Sequence, residues 1–115
     1  MNYKILSIVL VTVLVAGCAN TAVTTIRDSN GYHVISKNAS AVRETMYPVK
    51  KGMKVEMVTN LSSGEIGVLL VINGKKVFSR IFNKSERFNY TIPKTGACLV
   101  KIYLKNTCSR FDFLI

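Results

Sequence analysis

From His33 onward, apolar and polar side chains alternate with a period of two in short runs broken by turn residues, the pattern of strands with one buried face. Val34-Ile35 is a weak first run, and residues 42–49 form a second with Pro48 near its end, which suits a strand edge or terminus. Lys50-Lys51-Gly52 predicts a turn into 53–59, where Met53, Val55 and Met57 share a face. After a predicted loop at 60–64, the run 65–72 places Ile66, Val68, Leu70 and Ile72 on one side. Asn73-Gly74 is a hairpin signal, because both central residues of a type I′ turn need positive φ. Residues 75–82 are its return strand.

Residues 83–86 connect to 87–92, where Phe88, Tyr90 and Ile92 alternate with Arg87, Asn89 and Thr91. A turn at 93–96 leads into 97–105, with Cys98, Val100, Ile102 and Leu104 inward and Leu99, Lys101, Tyr103 and Lys105 outward. The last run, 109–115, points Phe111, Phe113 and Ile115 inward. No segment carries a helical stripe. The pattern predicts an all-β chain: a single small antiparallel β-sandwich of about seven strands.

The N-terminal segment follows another rule. Lys4 precedes an apolar stretch at 5–14, and Val15-Ala16-Gly17-Cys18 closes it. These residues resemble a bacterial lipobox, the end of a lipoprotein signal peptide. The resemblance implies that the Cys18 thiol receives diacylglycerol, that cleavage leaves Cys18 first in the mature chain, and that palmitate-class acyl chains hold it to a membrane. A transmembrane helix fits less well, since the stretch falls short of the ~20 residues a span needs. The expected organisation is a signal peptide at 1–17, lipidated Cys18 with a flexible polar spacer to residue 31, and the β-sandwich over 32–115. The expected location is a bacterial membrane, facing periplasm or exterior. Ala19 carries no acidic retention signal, so an outer membrane is favoured where one exists; a single-membrane host is equally compatible.

Charge adds a candidate partner. The chain has 16 basic and 6 acidic side chains. Only Lys4 of these lies before Cys18, so the mature chain carries about +9. Outside the cytoplasm the polyanions are lipid headgroups, lipopolysaccharide, teichoic acids and acidic glycans; nucleic acid is not expected. Lys50, Lys51 and Lys54 sit near one predicted turn, and Lys75 and Lys76 at another. At the same end of the sandwich they would form an anion-binding rim; at opposite ends they are solvated turns that protect strand edges. On the outward row, Tyr103 is flanked by Lys101 and Lys105, an arrangement that suits a sugar or a partner protein as well as a plain exposed strand.

Cys98 and Cys108 form an even pair in an oxidising compartment, which favours a disulfide. A straight strand over 97–105 argues against one, because it separates position 98 from the turn by about 20 Å, whereas a bridge tolerates less than ~7 Å between Cα atoms. The bridge requires a broken strand or a Cys108 folded back over the sheet, and both outcomes stay open.

Over 42–115 the order of features resembles small bacterial β-sandwiches of the pre-peptidase C-terminal type: a Val-Lys-Lys-Gly turn at 49–52, Lys76-Val77, an Ile-Pro-Lys-Thr-Gly corner at 92–96, and a terminal Phe-bearing strand. Cys98 departs from the tyrosine such domains often carry after the corner glycine. The resemblance implies an accessory or binding module. Catalytic chemistry finds no support: His33 is the single histidine, the six acids are dispersed, and no nucleophile-elbow, phosphate-loop or calcium-loop motif occurs. The expectation is a non-enzymatic, lipid-anchored envelope protein without metal or cofactor. It would bind an anionic envelope polymer or another envelope protein; the alternative is an accessory lipoprotein docking through a strand edge in a larger assembly.

Overall fold

The computed structural model describes residues 21–115; the lipobox, Cys18 and segment 1–17 lie outside the described residues. The described chain is all β-strand and turn, without helix: β1 (Ala22–Asp28), β2 (Gly31–Val49), β3 (Lys54–Ile72), β4 (Lys75–Phe82), β5 (Glu86–Thr91) and β6 (Gly96–Leu114). They form one antiparallel six-stranded sheet in the order β1-β2-β6-β3-β4, with β5 also on β3. β2, β3 and β6 each run 19 residues, far beyond an ordinary strand.

Those long strands explain the sandwich. Each is bent once near its middle, where Asn38, Gly64 and Asn106 adopt positive φ and the ladder shifts register between Ser36 and Ala41 and between Leu61 and Glu65. The bends fold the sheet onto itself. The first layer holds β1, the first half of β2, the second half of β6, the first half of β3, and β5. The second layer holds the other halves of β2, β6 and β3, with β4 at its edge. Rings meet across the interior: Tyr47 with Phe113 and Phe82 with Phe111 at 6.2 Å between centroids, and Phe78 with Phe88 at 5.5 Å.

The inward sets predicted from alternation form this core. Val55, Met57, Ile66, Val68, Leu70, Ile72, Cys98, Val100, Ile102, Phe111 and Phe113 are all 2% exposed or less. Burying a side chain of this size is worth roughly 1.5–3 kcal/mol, so the core supplies most of the driving force. Asn73 and Gly74 both have positive φ, as the hairpin signal requires.

Four expectations are corrected. The loop at 60–64 is the bent middle of β3, and the runs at 34–35 and 42–49 are one strand; a bulge keeps the ladder paired through residues that sequence reads as punctuation. The segment to residue 31 is not a free spacer, because β1 pairs along β2 from Ala22↔Lys37 to Asp28↔Gly31. Its Asp28 carboxylate accepts from the Asn30 and Gly31 amides at 2.8 and 3.1 Å, which fixes the hairpin. Ile115 lies beyond the last strand and is exposed rather than inward. Of the two outcomes left open for the cysteines, the unbridged one holds: Cys98 is a buried free thiol and does not pair with Cys108. Cys98 aligns with Ile72 at one end of the second layer, while Cys108 aligns with Ser63 beside the bend.

Candidate functional site

Because every long strand bends once, both of its ends finish on the same side of the molecule. Three connections meet there. The Gly52 amide donates to the Ile92 carbonyl at 2.8 Å, the Lys51 amide donates to Thr95 Oγ1 at 3.0 Å, and Asn73 packs its side chain over Gly96. Turns 50–53, 73–74 and 92–95 therefore share one end. The two predicted lysine groups, Lys50, Lys51 and Lys54 with Lys75 and Lys76, form a single rim. Lys94 joins them from the third connection.

All six rim lysines are exposed, and among the described residues none of them has an ion-pair partner. Acidic side chains are engaged elsewhere: Glu56 with Arg87 at 3.1 Å, Glu86 with Arg80, and Asp112 with Arg110 at 3.2 Å. Like charges gathered without counter-charge leave a positive potential at that end.

Lys101, Tyr103 and Lys105 lie elsewhere, on the outer face of the second layer, where the alternation placed them. Tyr103 is 40% exposed. It sits in a cross-strand row, Val42–Tyr103–Gly67–Ile81, whose members are direct register neighbours on β2, β6, β3 and β4. With no side chain at Gly67, the row opens into a surface cavity of about 400 Å³. Lys76 lines it beside Leu69, Ser79, Ile81 and Tyr103, which makes the cavity continuous with the rim. Lys101 Nζ lies 5.6 Å from the Tyr103 ring centroid and 4.0 Å from Glu44. Lys105 stands beyond Tyr103 toward the bend and has no ion-pair partner among the described residues.

The alternation marked Tyr103 as outward, but the cavity was not legible: it depends on Gly67 and Ile81 landing beside Tyr103 across three strands. Lys94 was likewise passed over as part of a corner motif.

The one histidine has a structural partner set. His33 is 8% exposed, with Nδ1 2.6 Å from Asp112 and Nε2 3.3 Å from Asp28. It thus ties the β1–β2 hairpin to the last strand. Burial would raise the Asp28 carboxyl, but hydrogen bonds from the Asn30 amide and the His33 ring, the His33 charge and the Gly31 amide together hold it below its ordinary 3.8. Farther along the same strands the Ser36 hydroxyl bonds those of Thr107 and Ser109 at 2.7 and 2.8 Å. Among the described residues, no group of three or more His, Cys, Asp or Glu side chains could hold a metal ion.

No protein-family model matches the chain, and no curated protein matches it. Among solved structures, it is similar to one described as CBM4 structure and function, at 14% identity over 81% of this chain and 74% of that one, with a TM-score of 0.41. A Drosophila melanogaster CENP-C cupin domain is similar at 10% identity, covering 84% and 80% of the two chains, with a TM-score of 0.43. A Glycosylation Associate Protein (Gap123) complex from Streptococcus agalactiae shows 8% identity, covers 79% of this chain and 37% of that one, and has a TM-score of 0.43. The fold is thus established by the architecture of the chain itself: an all-β, antiparallel sandwich.

Proposed function

We propose that this chain is a lipid-anchored, non-catalytic envelope protein whose basic sandwich binds an anionic polymer at the bacterial surface. The convergence of three turns into one rim carries the reading. Six lysines without carboxylate partners among the described residues stand at one end of the sandwich, and the groove below Lys76 extends that surface. The lipobox-like sequence supports the location. It would hold the domain beside an anionic surface, where each basic residue adds to adhesion.

The test is retention of the purified protein on wall polymer or lipopolysaccharide across a salt gradient. A variant with Lys50, Lys51, Lys54 and Lys94 changed to Gln should elute at markedly lower salt, with affinity falling about 5-fold per lysine near the surface. Equal retention of variant and parent would refute the rim. The anchor has its own test: Cys18→Ser should abolish incorporation of labelled palmitate and move the protein from the membrane to the soluble fraction.

A second reading is docking in an envelope assembly. It rests on β4, which among the described residues has a ladder partner on one side alone and carries Ile81 at 65% exposure. Affinity purification from mildly solubilised membranes separates the two. One stoichiometric protein partner favours the assembly, and an eluate without one, from a protein that still adheres to polymer, favours the rim.

A further inference from the structure

We infer that the groove on the outer face of the second layer is a subsite for one sugar ring of an acidic glycan, with Tyr103 as the stacking surface and Lys76 and Lys101 as its charge partners. This rests on the reading above and names the class of the polymer.

Gly67 is the central observation. It lies in mid-strand, where glycine weakens a sheet. Its φ is not among the positive ones, so the backbone does not call for glycine there. Nor does packing, since a Cβ at that position would meet Tyr103 Cβ at 3.5 Å and Cδ2 at 3.8 Å, ordinary van der Waals contact. A single methyl group would therefore fit beside the Tyr103 ring, and a larger side chain would take up the space next to it. What the glycine does is leave a gap between Tyr103 and Ile81. Two strand spacings put their backbones about 9.6 Å apart, and the cavity of about 400 Å³ lies between them. That admits one pyranose ring standing between the walls.

The lining matches such a ring. Tyr103, Leu69 and Ile81 offer apolar surface for its C–H face, while Ser79 and Lys76 offer hydrogen bonds for its hydroxyl edge. A purely apolar occupant would strip water from the Ser79 hydroxyl and the Lys76 ammonium without replacing it. The sign of the ligand follows from the charges. Among the described residues Lys76 and Lys105 have no ion-pair partner, and Lys101 stands over the Tyr103 ring with one carboxylate at 4.0 Å. A carboxylated or phosphorylated sugar supplies the missing negative charge. Continuity with the rim through Lys76 lets further residues of the same polymer run onto the lysines.

The experiment is calorimetric titration of the full chain in detergent with an oligogalacturonate, and in parallel with a linear polyphosphate of matched charge. Parent, Gly67→Val, Tyr103→Ala and Tyr103→Phe are compared, with urea midpoints to establish folding. Gly67→Val puts side-chain bulk into the slot, and its urea midpoint, read beside that of Tyr103→Ala, separates lost binding from lost folding. The expected result is preference for the glycan over polyphosphate in the parent, with glycan affinity lowered about tenfold or more by Gly67→Val and Tyr103→Ala. Tyr103→Phe should bind as the parent does, and polyphosphate binding should be unchanged throughout. Equal binding of both polyanions, indifferent to Gly67→Val, would overturn the sugar subsite and leave the lysine rim standing. Absence of binding to either would overturn both.

Discussion

Replacing Gly64 by alanine tests the physical account of the fold most directly, because Gly64 is the bend of β3 at the middle of the folded sheet. Its φ is +83°, a region where an L-residue pays about 1–2 kcal/mol. The larger cost is contact. A Cβ there would fall 2.6 Å from the Asn106 carbonyl carbon, and closer still to the carbonyl oxygens of Lys105 and Asn106. These are backbone atoms of the neighbouring bend on β6, so no side chain can swing aside. Relief requires the β3 and β6 bends to separate by most of an ångström, and overpacking of that kind costs about 1–3 kcal/mol. The sum is roughly 2–5 kcal/mol, a large share of the 5–15 kcal/mol typical of a domain.

Gly52 is the internal control. Its φ is +87°, but a Cβ there meets nothing within 4 Å. Gly52→Ala should therefore cost only the conformational part, about 1–2 kcal/mol. Urea denaturation of parent and both variants gives the comparison, provided the m-values agree. If Gly64→Ala and Gly52→Ala lose the same stability within about 0.5 kcal/mol, the close approach of the bends is not what holds the layers together.

Three further outcomes are expected. Asp28 has its folded pKa below 3.8, so its contribution is fully present above that value and is lost as pH falls through the folded pKa; acid titration of thermal stability should show Asp28→Asn flattening the curve below about pH 4. Burial raises the Cys98 thiol above its ordinary value and leaves it free; it should resist iodoacetamide in the native protein and react in urea, read by peptide mass spectrometry. The Tyr47 hydroxyl is buried with no hydrogen-bond partner, although the Arg27 guanidinium lies 4.2 Å from its ring centroid. Tyr47→Phe should then be neutral or stabilising by about 1 kcal/mol, whereas a loss beyond that would show the hydroxyl to be engaged.

The period-two alternation by itself determined the fold class and most of the core, though not Tyr32, Tyr47, Val49 or Phe82. From Ile66 to Ile72 and from Cys98 to Leu104 one face is buried, and burial is what writes a pattern into sequence. β1 left no such trace. It is an edge strand, and six of its seven residues are exposed, so nothing selects an apolar stripe and its Thr-rich sequence reads as spacer. Sequence also specified the Asn73-Gly74 hairpin, since the chemistry that makes that turn is local.

Tertiary structure alone decided the rest. Three bends at Asn38, Gly64 and Asn106 turn long strands into two layers, and their alignment across β2, β3 and β6 is a matter of register between segments more than 20 residues apart. That folding brings lysines from turns at 50–53, 73–74 and 92–95 to one rim, and sets Gly67 between Tyr103 and Ile81. Outward lysines and a tyrosine can be found by counting along a strand. Which of them share a surface depends on contacts across strands, and a one-residue change of register would scatter the row while leaving each strand's own pattern intact.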